Sequence, residues 1–290
     1  MIEMDTPSSL ATKAWTPSVV FSDVDGTILN TNHCVTKTTS AAAFELHKRY
    51  IPLVLVSARM PEALDVIRQE LYCTGPTICY SGAYVIDGNG TELLSCPIDT
   101  SQANEAYAFI TRTYPELTVM AYGFHNWFVA DRTDARVKRE ETVVGVQAHE
   151  VNLQDVIASQ GIHKYLLVGE PDAIERAEAE LSAAFPHLKV ARSSPILCEI
   201  MDGHVSKTVG ITCVCKHLNV EFIQAVVFGD GRNDIDMLQA VPESWAMANA
   251  PLEVREVAMH ITRLDNNHDG FANEILTMLK RVQKSESTEK

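Results

Sequence analysis

The chain has 290 residues, 46% of them hydrophobic and 21% charged, which is the composition of a globular protein of one or two domains. Its formal net charge of −14 argues against binding to a nucleic-acid backbone or to an anionic membrane surface. The longest apolar runs, such as residues 51–56, are too short to cross a bilayer. A small anionic ligand is not excluded, because a metal ion can reverse the charge inside a site.

Residues 1–16 lack the basic start and apolar centre of a signal peptide, so we expect a flexible N-terminal leader. Seven cysteines, an odd number, are scattered along the chain. The closest two, Cys213 and Cys215, lie in a helical pattern where residues two apart point to different faces, which favours buried apolar roles over metal binding. The cysteine usage therefore indicates reduced thiols and a cytoplasmic protein.

Strand and helix patterns alternate through residues 17–95. Three apolar strand patterns end near Asp23, Ser57 and Gly82, and a helical pattern separates each from the next. This β-α-β-α-β order predicts a parallel sheet with helices on both faces. A hairpin follows, with its turn at Asp-Gly-Asn-Gly in residues 87–90.

Residues 96–197 have a different pattern, with two helix–strand–strand units that flank the stretch VNLQDVIASQGIHKYLLVGE. The junctions of the two units resemble each other, reading YPELTV at residues 114–119 and FPHLKV at residues 185–190. Shared turn chemistry could produce this likeness without a duplication. The region is predicted to be an α+β domain inserted into the first.

The alternation of strands and helices returns in residues 198–290, with a strand pattern that ends at Asp230. The predicted fold class is therefore α/β: a Rossmann-like parallel-sheet core, formed by residues 17–95 and 198–290, with an inserted α+β domain. In such sheets ligands bind beyond the carboxyl ends of the strands, which is where Asp23, Ser57 and Asp230 lie.

Two aspartates, Asp23 and Asp25, follow the first strand in the sequence DVDGT. Residues two apart share a face of a strand, so these carboxylates repel each other unless something compensates them. A calcium loop also begins Asp-x-Asp, but it needs glycine at its sixth position and glutamate at its twelfth. Here the glycine is fourth and the twelfth residue is Cys34, which excludes that loop. A plain turn after a strand remains the alternative for this motif taken alone.

A second acidic group follows the strand that ends at Asp230, where Asn233 and Asp234 open the next predicted helix. Asp234 would also be suited to an early helical position without any further role. Two strands of one sheet that end on acids concentrate negative charge, which predicts a divalent cation. An all-oxygen set of ligands with open positions favours Mg²⁺, which keeps water ligands and binds phosphates.

Two further polar residues lie at element ends. Ser57 closes the second strand, from which its hydroxyl group can donate a hydrogen bond. Lys207 begins a predicted helix, where its charge opposes the helix dipole. A position facing an anion would explain this lysine, and solvation at the surface is the alternative.

A count of charges supports a phosphate ligand. A phosphate-monoester dianion and three ionised aspartates carry five negative charges if Asp25 holds a proton, whereas Mg²⁺ and Lys207 supply three positive ones. The remainder would fall on backbone amides of the DVDGT turn and on the neighbouring polar side chains Ser57, Arg59 and Asn233.

Four motifs occur in a fixed order: DVDGT at residues 23–27, SAR at 57–59, a later lysine at 207, and GDGRND at 229–234. This set resembles the haloacid dehalogenase superfamily, and in detail its Cof-type phosphatases with a type IIB cap. Further matching stretches are ICYSGAYVIDGNG, EIMDGHVSKTVGI, AMANA and DNNHDGFANEI. The resemblance covers nearly the whole chain, from Val19 to about Leu279.

The resemblance implies catalytic roles for four residues. Asp23 would be the nucleophile that forms an aspartyl-phosphate. Asp25 would be the general acid/base and would also offer its backbone carbonyl to the metal. Ser57 would bind the transferring phosphoryl group, and Lys207 would neutralise the nucleophile and the phosphate.

The same resemblance implies a metal site, a substrate site and a cap. The implied Mg²⁺ ligands are Asp23, Asp25, Asp230 and Asp234, the last either as a ligand or as a support for the others. The implied substrate-binding residues are Ser57, Arg59, Lys207 and Asn233. The inserted domain would be the cap that closes over the leaving group.

Three stretches depart from the family pattern. Ser-Ala-Arg at residues 57–59 replaces Thr-Gly-Arg, Ser-Gly-Ala at 81–83 replaces Asn-Gly-Ala, and Lys-Thr at 207–208 replaces Lys-Gly. The hydroxyl group and both charges are retained, so we expect the chemistry to be retained.

The predicted function is that of a Mg²⁺-dependent phosphatase for small phosphorylated metabolites, sugar phosphates in particular. A phosphomutase or phosphotransferase shares the phospho-aspartate and would yield an isomeric or transferred product instead of free phosphate. A receiver-like signalling domain has a similar acidic pocket, but it is far shorter and needs neither the second aspartate nor the insert. Within the insert, His125 and Trp127 are candidate contacts to the leaving group, although aromatic residues in such positions more often pack in that domain's own core.

Overall fold

A computed structural model describes residues 16–288, with side chains as far as residue 281. The predicted leader, residues 1–16, lies outside the described residues apart from Thr16. The α/β fold class is confirmed: a parallel sheet forms the core, and an insert contains a second, mostly antiparallel sheet. In the part of the chain that the structure describes, no helix has the length and apolar character needed to cross a bilayer.

The secondary-structure elements are numbered here in chain order. The strands are β1 (Val19–Ser22), β2 (Leu53–Leu55), β3 (Thr77–Cys79), β4 (Tyr84–Ile86), β5 (Glu92–Ser95), β6 (Thr118–Gly123), β7 (Asn126–Val129), β8 (His149–Glu150), β9 (Lys164–Val168), β10 (Leu188–Ser194), β11 (Leu197–Asp202), β12 (Ala225–Gly229), β13 (Glu243–Ala246) and β14 (His260–Ile261). The helices are α1 (Lys37–Lys48), α2 (Pro61–Glu70), α3 (Thr100–Thr113), α4 (Ala135–Val144), α5 (Leu153–Gln160), α6 (Pro171–Ala184), α7 (Lys207–Leu218), α8 (Ile235–Ala240), α9 (Leu252–Arg255) and α10 (Gly270–Thr288).

The core sheet has the strand order β14-β13-β12-β1-β2, and all of its pairings are parallel. A parallel bridge between Val56 and Ile78 joins β3 to the open side of β2. The strands β3, β4 and β5 form a small antiparallel sheet that contains the predicted hairpin. Because every strand of the core sheet runs in one direction, their carboxyl ends meet at one edge.

Helices cover both faces of the core sheet, as the alternating pattern predicted. Val20 of β1 packs with Leu46 of α1 and Phe271 of α10 on one face. Phe21, one residue later, packs with Ile211 of α7 and belongs to the other face. A strand buried on both faces needs a continuous apolar run, which is why residues 19–21 show no polar alternation.

The insert is a six-stranded sheet with the order β10-β11-β9-β6-β7-β8. It contains two helix–strand–strand units, α3-β6-β7 and α6-β10-β11. In both units the turn between the helix and the first strand has the same backbone conformation. Tyr114 ends α3 with φ −129° and ψ 59°, and Phe185 ends α6 with φ −125° and ψ 67°. The similar sequences at these two junctions therefore fold in the same way, and shared turn chemistry accounts for that without requiring a duplication.

Several elements differ from the predicted pattern. The helix α4 and the short strands β8 and β14 were not predicted, and the stretch 251–259 forms only the short helix α9. The predicted end of the insert, residue 197, is the first residue of β11, which pairs with β9 and β10 as far as residue 202. Since the chain leaves that sheet only there, we propose residues 96–202 for the insert and 203–290 for the second part of the core.

Candidate active site

The carboxyl ends of β1 and β12 bring three acidic side chains around one lysine. Lys207, the first residue of α7, is fully buried and donates hydrogen bonds to Asp23 and to Asp234 Oδ1, the latter at 2.5 Å. Carboxylate oxygens of Asp23, Asp230 and Asp234 lie within 4.8 Å of one another. A lysine at a helix start is unfavourable for the helix dipole, and these two carboxylates compensate it.

The turn after β1 requires glycine at residue 26. Gly26 has a φ of +84°, and a Cβ atom there would lie 2.2 Å from Asp230 Oδ2. A side chain would thus be strained by its backbone conformation and would also clash with a carboxylate. The glycine of DVDGT allows the loop after β1 to approach the loop after β12.

Asp230 is held in place by residues from two other loops. Thr27 donates its hydroxyl hydrogen to Asp230 Oδ1 at 2.7 Å, and Asn249 Nδ2 lies 3.4 Å from Oδ2. Asn249 Nδ2 also donates to the carbonyl of Gly26 at 2.9 Å. Burial, together with the negative charge of Asp234, raises the pKa of Asp230 to about 6, despite the hydrogen bond from Thr27.

Asp234 uses both of its carboxylate oxygens within the protein. Its Oδ1 accepts from Lys207, and its Oδ2 accepts the backbone N–H groups of Asp230 and Gly231 at 2.9 and 2.8 Å. A carboxylate with this many partners has little capacity left for a cation. Of the two roles considered for Asp234, the geometry therefore favours support of the neighbouring residues.

The charges at this edge of the sheet fit a divalent cation. Burial raises the pKa of Asp23 well above its usual range; Lys207 opposes the shift, and the charges of Asp234 and Asp230 add to it. For Lys207, burial lowers the pKa, but the two carboxylates that it contacts reverse this and raise it. One lysine cannot balance three carboxylates, and Asp23 Oδ2 and Asp230 Oδ2 keep lone pairs available. Such hard oxygen donors are the ligands that Mg²⁺ prefers.

Ser57 and Arg59 lie on the loop after β2. Ser57 is buried, and its Oγ accepts the backbone N–H of Arg59 at 3.1 Å, which leaves the hydroxyl hydrogen available for another acceptor. The Arg59 guanidinium forms a bidentate pair with Asp25, at 2.8 Å to Oδ2 and 2.6 Å to Oδ1. The side chain of Asp25 is 42% exposed; its partial desolvation would raise the pKa of Asp25, but the hydrogen bonds and charge of Arg59, with help from His33, outweigh this and lower it.

Two of the predicted site residues lie apart from the buried cluster. Asp25 is exposed and points to Arg59, whereas Asp23, two residues earlier, points to Lys207. Asn233 is exposed, and its side chain makes no hydrogen bond with any residue between 16 and 281. The structure thus brings together Asp23, Asp230, Asp234 and Lys207, with Ser57, Arg59 and Asp25 beside them, and leaves Asn233 at the rim.

The insert contacts this loop through a second buried lysine. Lys164 of β9 donates to the carbonyl of Ala58 at 2.7 Å, and Ala58 lies between Ser57 and Arg59. The Lys164 ammonium group also lies 3.3 Å from Glu199 Oε1 and 4.9 Å from the ring centre of Tyr122. A residue of the insert is therefore in direct contact with the loop that carries the candidate phosphate ligands.

Glu140 of α4 lies in the same region and is buried. Burial raises the pKa of Glu140, and the charges of Arg139, Lys164 and Arg59 oppose the increase. Together with Tyr122, Lys164 and Glu199, this residue forms a polar surface of the insert that faces the core.

The two predicted contacts in the insert behave differently. Trp127 is fully buried and stacks on Tyr122 with 5.4 Å between ring centres, so it packs in the interior of the insert. His125 is exposed at the tip of the β6–β7 hairpin, and its Nδ1 lies 2.6 Å from Glu62 on α2 of the core. The packing interpretation therefore holds for Trp127, while His125 helps to dock the insert.

Three residues of the site were not assigned roles from the sequence. Thr27 and Asn249 support Asp230, and Lys164 contacts the loop at Ala58. Thr27 and Asn249 lie in the stretches DVDGT and AMANA, so a match to those stretches could have indicated them. Lys164 starts a strand in the insert, and no motif marks it.

Comparison with known proteins agrees with this geometry. The family of haloacid dehalogenase-like hydrolases matches residues 20–275. A Haemophilus influenzae protein named "Putative phosphatase" is 30% identical over 253 residues, which cover 87% of this chain and 95% of that protein. The crystal structure of TM0651 from Thermotoga maritima has a TM-score of 0.80 at 26% identity and covers 90% of this chain and 97% of its own.

A third comparison concerns the fold including the insert. The HAD subclass IIB sugar phosphatase BT4131 has a TM-score of 0.77 at 20% identity, over 89% of this chain and 98% of its own. That likeness extends through both the core and the inserted sheet. The chain therefore belongs to the haloacid dehalogenase-like hydrolases and is an enzyme of their phosphatase type.

Proposed function

We propose that the protein is a Mg²⁺-dependent phosphatase that hydrolyses phosphate monoesters of small metabolites, sugar phosphates in particular, through an aspartyl-phosphate on Asp23. The observation that carries this proposal is the buried Lys207, which is hydrogen-bonded to both Asp23 and Asp234 at the carboxyl edge of the sheet. A lysine in this position orients the carboxylate of Asp23 and offers positive charge to an incoming phosphoryl group. The relative named for sugar phosphatase activity shares the fold, which supports this substrate class.

In the proposed first step, an oxygen of Asp23 attacks phosphorus and the P–O bond to the leaving group breaks. Lys207 and the hydroxyl group of Ser57 neutralise the phosphoryl oxygens as charge builds on them. In the second step, water attacks the aspartyl-phosphate and releases inorganic phosphate, which restores the Asp23 carboxylate. Asp25 gives a proton to the leaving group in the first step and takes one from water in the second.

The pairing of Asp25 with Arg59 supports a change of partner on substrate binding. A guanidinium group binds phosphate as readily as carboxylate, with the same bidentate geometry. A phosphate bound beside Ser57 would compete for Arg59 and release Asp25, which could then bind a proton. Arg59 would thereby link phosphate binding to the proton transfer.

Residues Asp23 and Asp230, with the backbone carbonyl of Asp25, would hold the Mg²⁺ ion, and Asp234 would orient them. When bound, the ion supplies positive charge that keeps Asp23 ionised and offsets the charge of the phosphoryl group. The carboxylate oxygens of Asp23 and Asp230 lie within 4.8 Å of each other, which supports this assignment.

A panel of phosphorylated metabolites tests the proposal. We expect phosphate release from sugar phosphates with Mg²⁺ present, and loss of that release after exhaustive chelation, with recovery on adding Mg²⁺ back. Mass spectrometry after acid quenching should find one phosphoryl group on the peptide that contains Asp23. Undiminished phosphate release in chelator would contradict the metal assignment, and an isomeric product without free phosphate would identify a mutase.

A further inference from the structure

A shallow groove of about 410 Å³ lies at the β14 edge of the core sheet, at the opposite side of the sheet from β2. Three arginines line it: Arg255, Arg263 and Arg281. The groove is also lined by Met259 and Ile261, and by Trp245, His260 and Glu274. None of these residues takes part in the candidate active site.

The three guanidinium groups have no ionic partner among the side chains of residues 16–281. Most other described arginines are paired with acids, as in Arg49 with Glu45 and Arg132 with Glu141, whereas Arg112 lies over the ring of Phe109. The Nε of Arg255 is even buried without a hydrogen-bond acceptor. In a chain of net charge −14, three unpaired arginines in one groove form an unusual concentration of positive charge.

The nearby acids do not neutralise this charge. Glu274 is buried and accepts the backbone N–H of Arg263 at 3.3 Å, not its guanidinium. Glu243 is bound to His260 at 3.1 Å and to the indole nitrogen of Trp245 at 3.0 Å. The groove therefore offers three charged donors to an external anion.

The same edge exposes apolar side chains. Met259 is 70% exposed, Ile261 49% and Leu264 40%, and Leu252 on α9 is 61% exposed. Arginine and methionine are enriched in protein interfaces, and large exposed apolar patches mark binding surfaces. A small anion would use the guanidinium groups but would leave these side chains in water.

The backbone of β14 is also available for pairing. Within the described residues, β14 pairs only with β13, and Thr262 donates its N–H to Ala246 across that pairing at 2.9 Å. The direction of the N–H groups alternates along a strand, so the N–H and C=O of Ile261 point to the open edge. An unpaired edge of this kind is a template for an added strand.

We propose that this surface binds an extended acidic peptide segment of a partner protein, added as a strand alongside β14. Ile261 would exchange backbone hydrogen bonds with the segment. Acidic side chains of the segment would pair with the three arginines, and its apolar side chains would cover Met259 and Ile261. This partner uses the charge, the apolar side chains and the free strand edge together, which neither a small anion nor a nucleic acid does.

Binding of labelled peptides of about ten residues tests the proposal by fluorescence anisotropy. One peptide alternates Glu with Val, and its counterpart alternates Lys with Val. We expect the full-length protein to bind the Glu peptide, more weakly as salt rises, and not the Lys peptide. Equal binding of both peptides, or no binding of the Glu peptide, would overturn the proposal.

A double variant locates the site. Arg263→Gln with Arg281→Gln removes two exposed charges and should weaken binding of the Glu peptide at least about tenfold. The control is Arg112→Gln with Arg176→Gln, which removes the same charge from exposed positions of the insert and should leave binding unchanged. Phosphate release by both variants should equal that of the unaltered enzyme, because neither pair touches the active site.

Hydrogen exchange on the unaltered protein tests the strand addition itself. The Glu peptide should slow exchange of the backbone amide of Ile261, since that N–H gains an acceptor. Binding without such protection would rule out strand addition. Inorganic pyrophosphate should not compete with the peptide at similar concentrations. If pyrophosphate binds as tightly as the Glu peptide and displaces it, the groove is a small-anion site instead.

Discussion

The candidate active site has two sides that are built in different ways. The floor consists of Asp23, Asp230, Asp234 and Lys207, which lie at strand ends and at a helix start of the core and hydrogen-bond to one another or to neighbouring loops. The roof consists of Tyr122, Glu140, Lys164 and Glu199 of the insert, and its described hydrogen bond to the loop beside the floor is the one from Lys164 to Ala58. The floor can keep its geometry without the roof, whereas the roof acts only when the insert is docked. This difference suggests that the floor determines the chemistry and that the roof influences which substrates react.

Loss of the proposed nucleophile, Asp23, is the change expected to have the largest effect. Asp23→Asn should reduce turnover of every substrate to background, because an amide cannot attack phosphorus and form the acyl-phosphate. Phosphate release from a sugar phosphate and from nitrophenyl phosphate measures this, with thermal melting as the check on folding. Asp155→Asn, an exposed change in the insert, is the control and should be fully active. Substantial turnover by a folded Asp23→Asn protein would place the nucleophile elsewhere.

The second prediction separates the two aspartates of the DVDGT turn. Asp25→Asn should slow hydrolysis of sugar phosphates by about 10²–10⁴-fold, since their alkoxide leaving groups need a proton. Nitrophenolate leaves without one, so its release should persist for the first turnover and then stop, giving a burst of about one equivalent. Rapid-quench kinetics measure the burst. A retained Mg²⁺ affinity with equal losses on both substrates and no burst would contradict the acid/base role.

The third prediction concerns the roof. Lys164→Met should lower kcat/KM for sugar phosphates by about 10- to 100-fold, because a hydrogen bond from a charged group contributes about 1.5–3 kcal/mol. Nitrophenyl phosphate, whose leaving group has no hydroxyl group to offer to the insert, should lose less. Lys189→Met is the matched control, since Lys189 of β10 also donates to a backbone carbonyl, that of Val205 at 3.2 Å, away from the site. Equal losses on both substrates would mean that Lys164 only stabilises the docked insert.

The smallest effect is expected from the junction that holds the roof in place, and it appears in stability, not in activity at neutral pH. His163 is buried; its Nδ1 accepts the backbone N–H of Phe124 at 3.3 Å, and its Nε2 lies 2.9 Å from Ser95 Oγ. Burial lowers the pKa of His163 to about 4, from an unfolded value near 6.5. Between these values the unfolded chain binds a proton that the folded protein does not, so stability falls as the pH falls from 6.5 towards 4.

This contribution should amount to at most about 3 kcal/mol at the acid end of that range. Denaturant unfolding of the parent protein and of His163→Gln, compared from pH 4 to pH 8, measures it. The difference in the free energy of unfolding between the parent protein and the variant should be constant above pH 7. Below pH 6.5 the parent protein should lose stability relative to the variant. A difference that does not change with pH would show that His163 is not held neutral by the fold.

The floor could be found from the sequence because its residues follow local rules. Asp23 and Asp230 end apolar strands, and Lys207 and Asp234 lie at helix starts. A charged residue at the boundary of a predicted strand or helix can be recognised from the sequence pattern alone. Parallel strands bring such ends to one edge of a sheet, so residues two hundred positions apart could be assigned to one site. The α/β class followed from the same alternation, and the structure confirmed it.

The roof could not be found in this way. Lys164 and Glu199 lie on different strands of the insert, Glu140 lies on a helix that the sequence did not predict, and only the register between β9 and β11 brings the first two together. For Trp127 the sequence left two roles open, contact with the leaving group or packing in the insert, and its complete burial against Tyr122 supports packing.

By itself, then, the sequence determined the order of strands and helices, the set of polar groups at the carboxyl edge and the family, because each of these depends on spacing along the chain. The tertiary structure alone decided which polar side chains pair with one another. Lys207 binds Asp23 and Asp234, Arg59 pairs with Asp25, and Lys164 donates to the carbonyl of Ala58. The arginines at the β14 edge form no ion pair with any described side chain. Partner choice depends on distances between residues far apart in sequence, and those distances exist only after the sheets have packed.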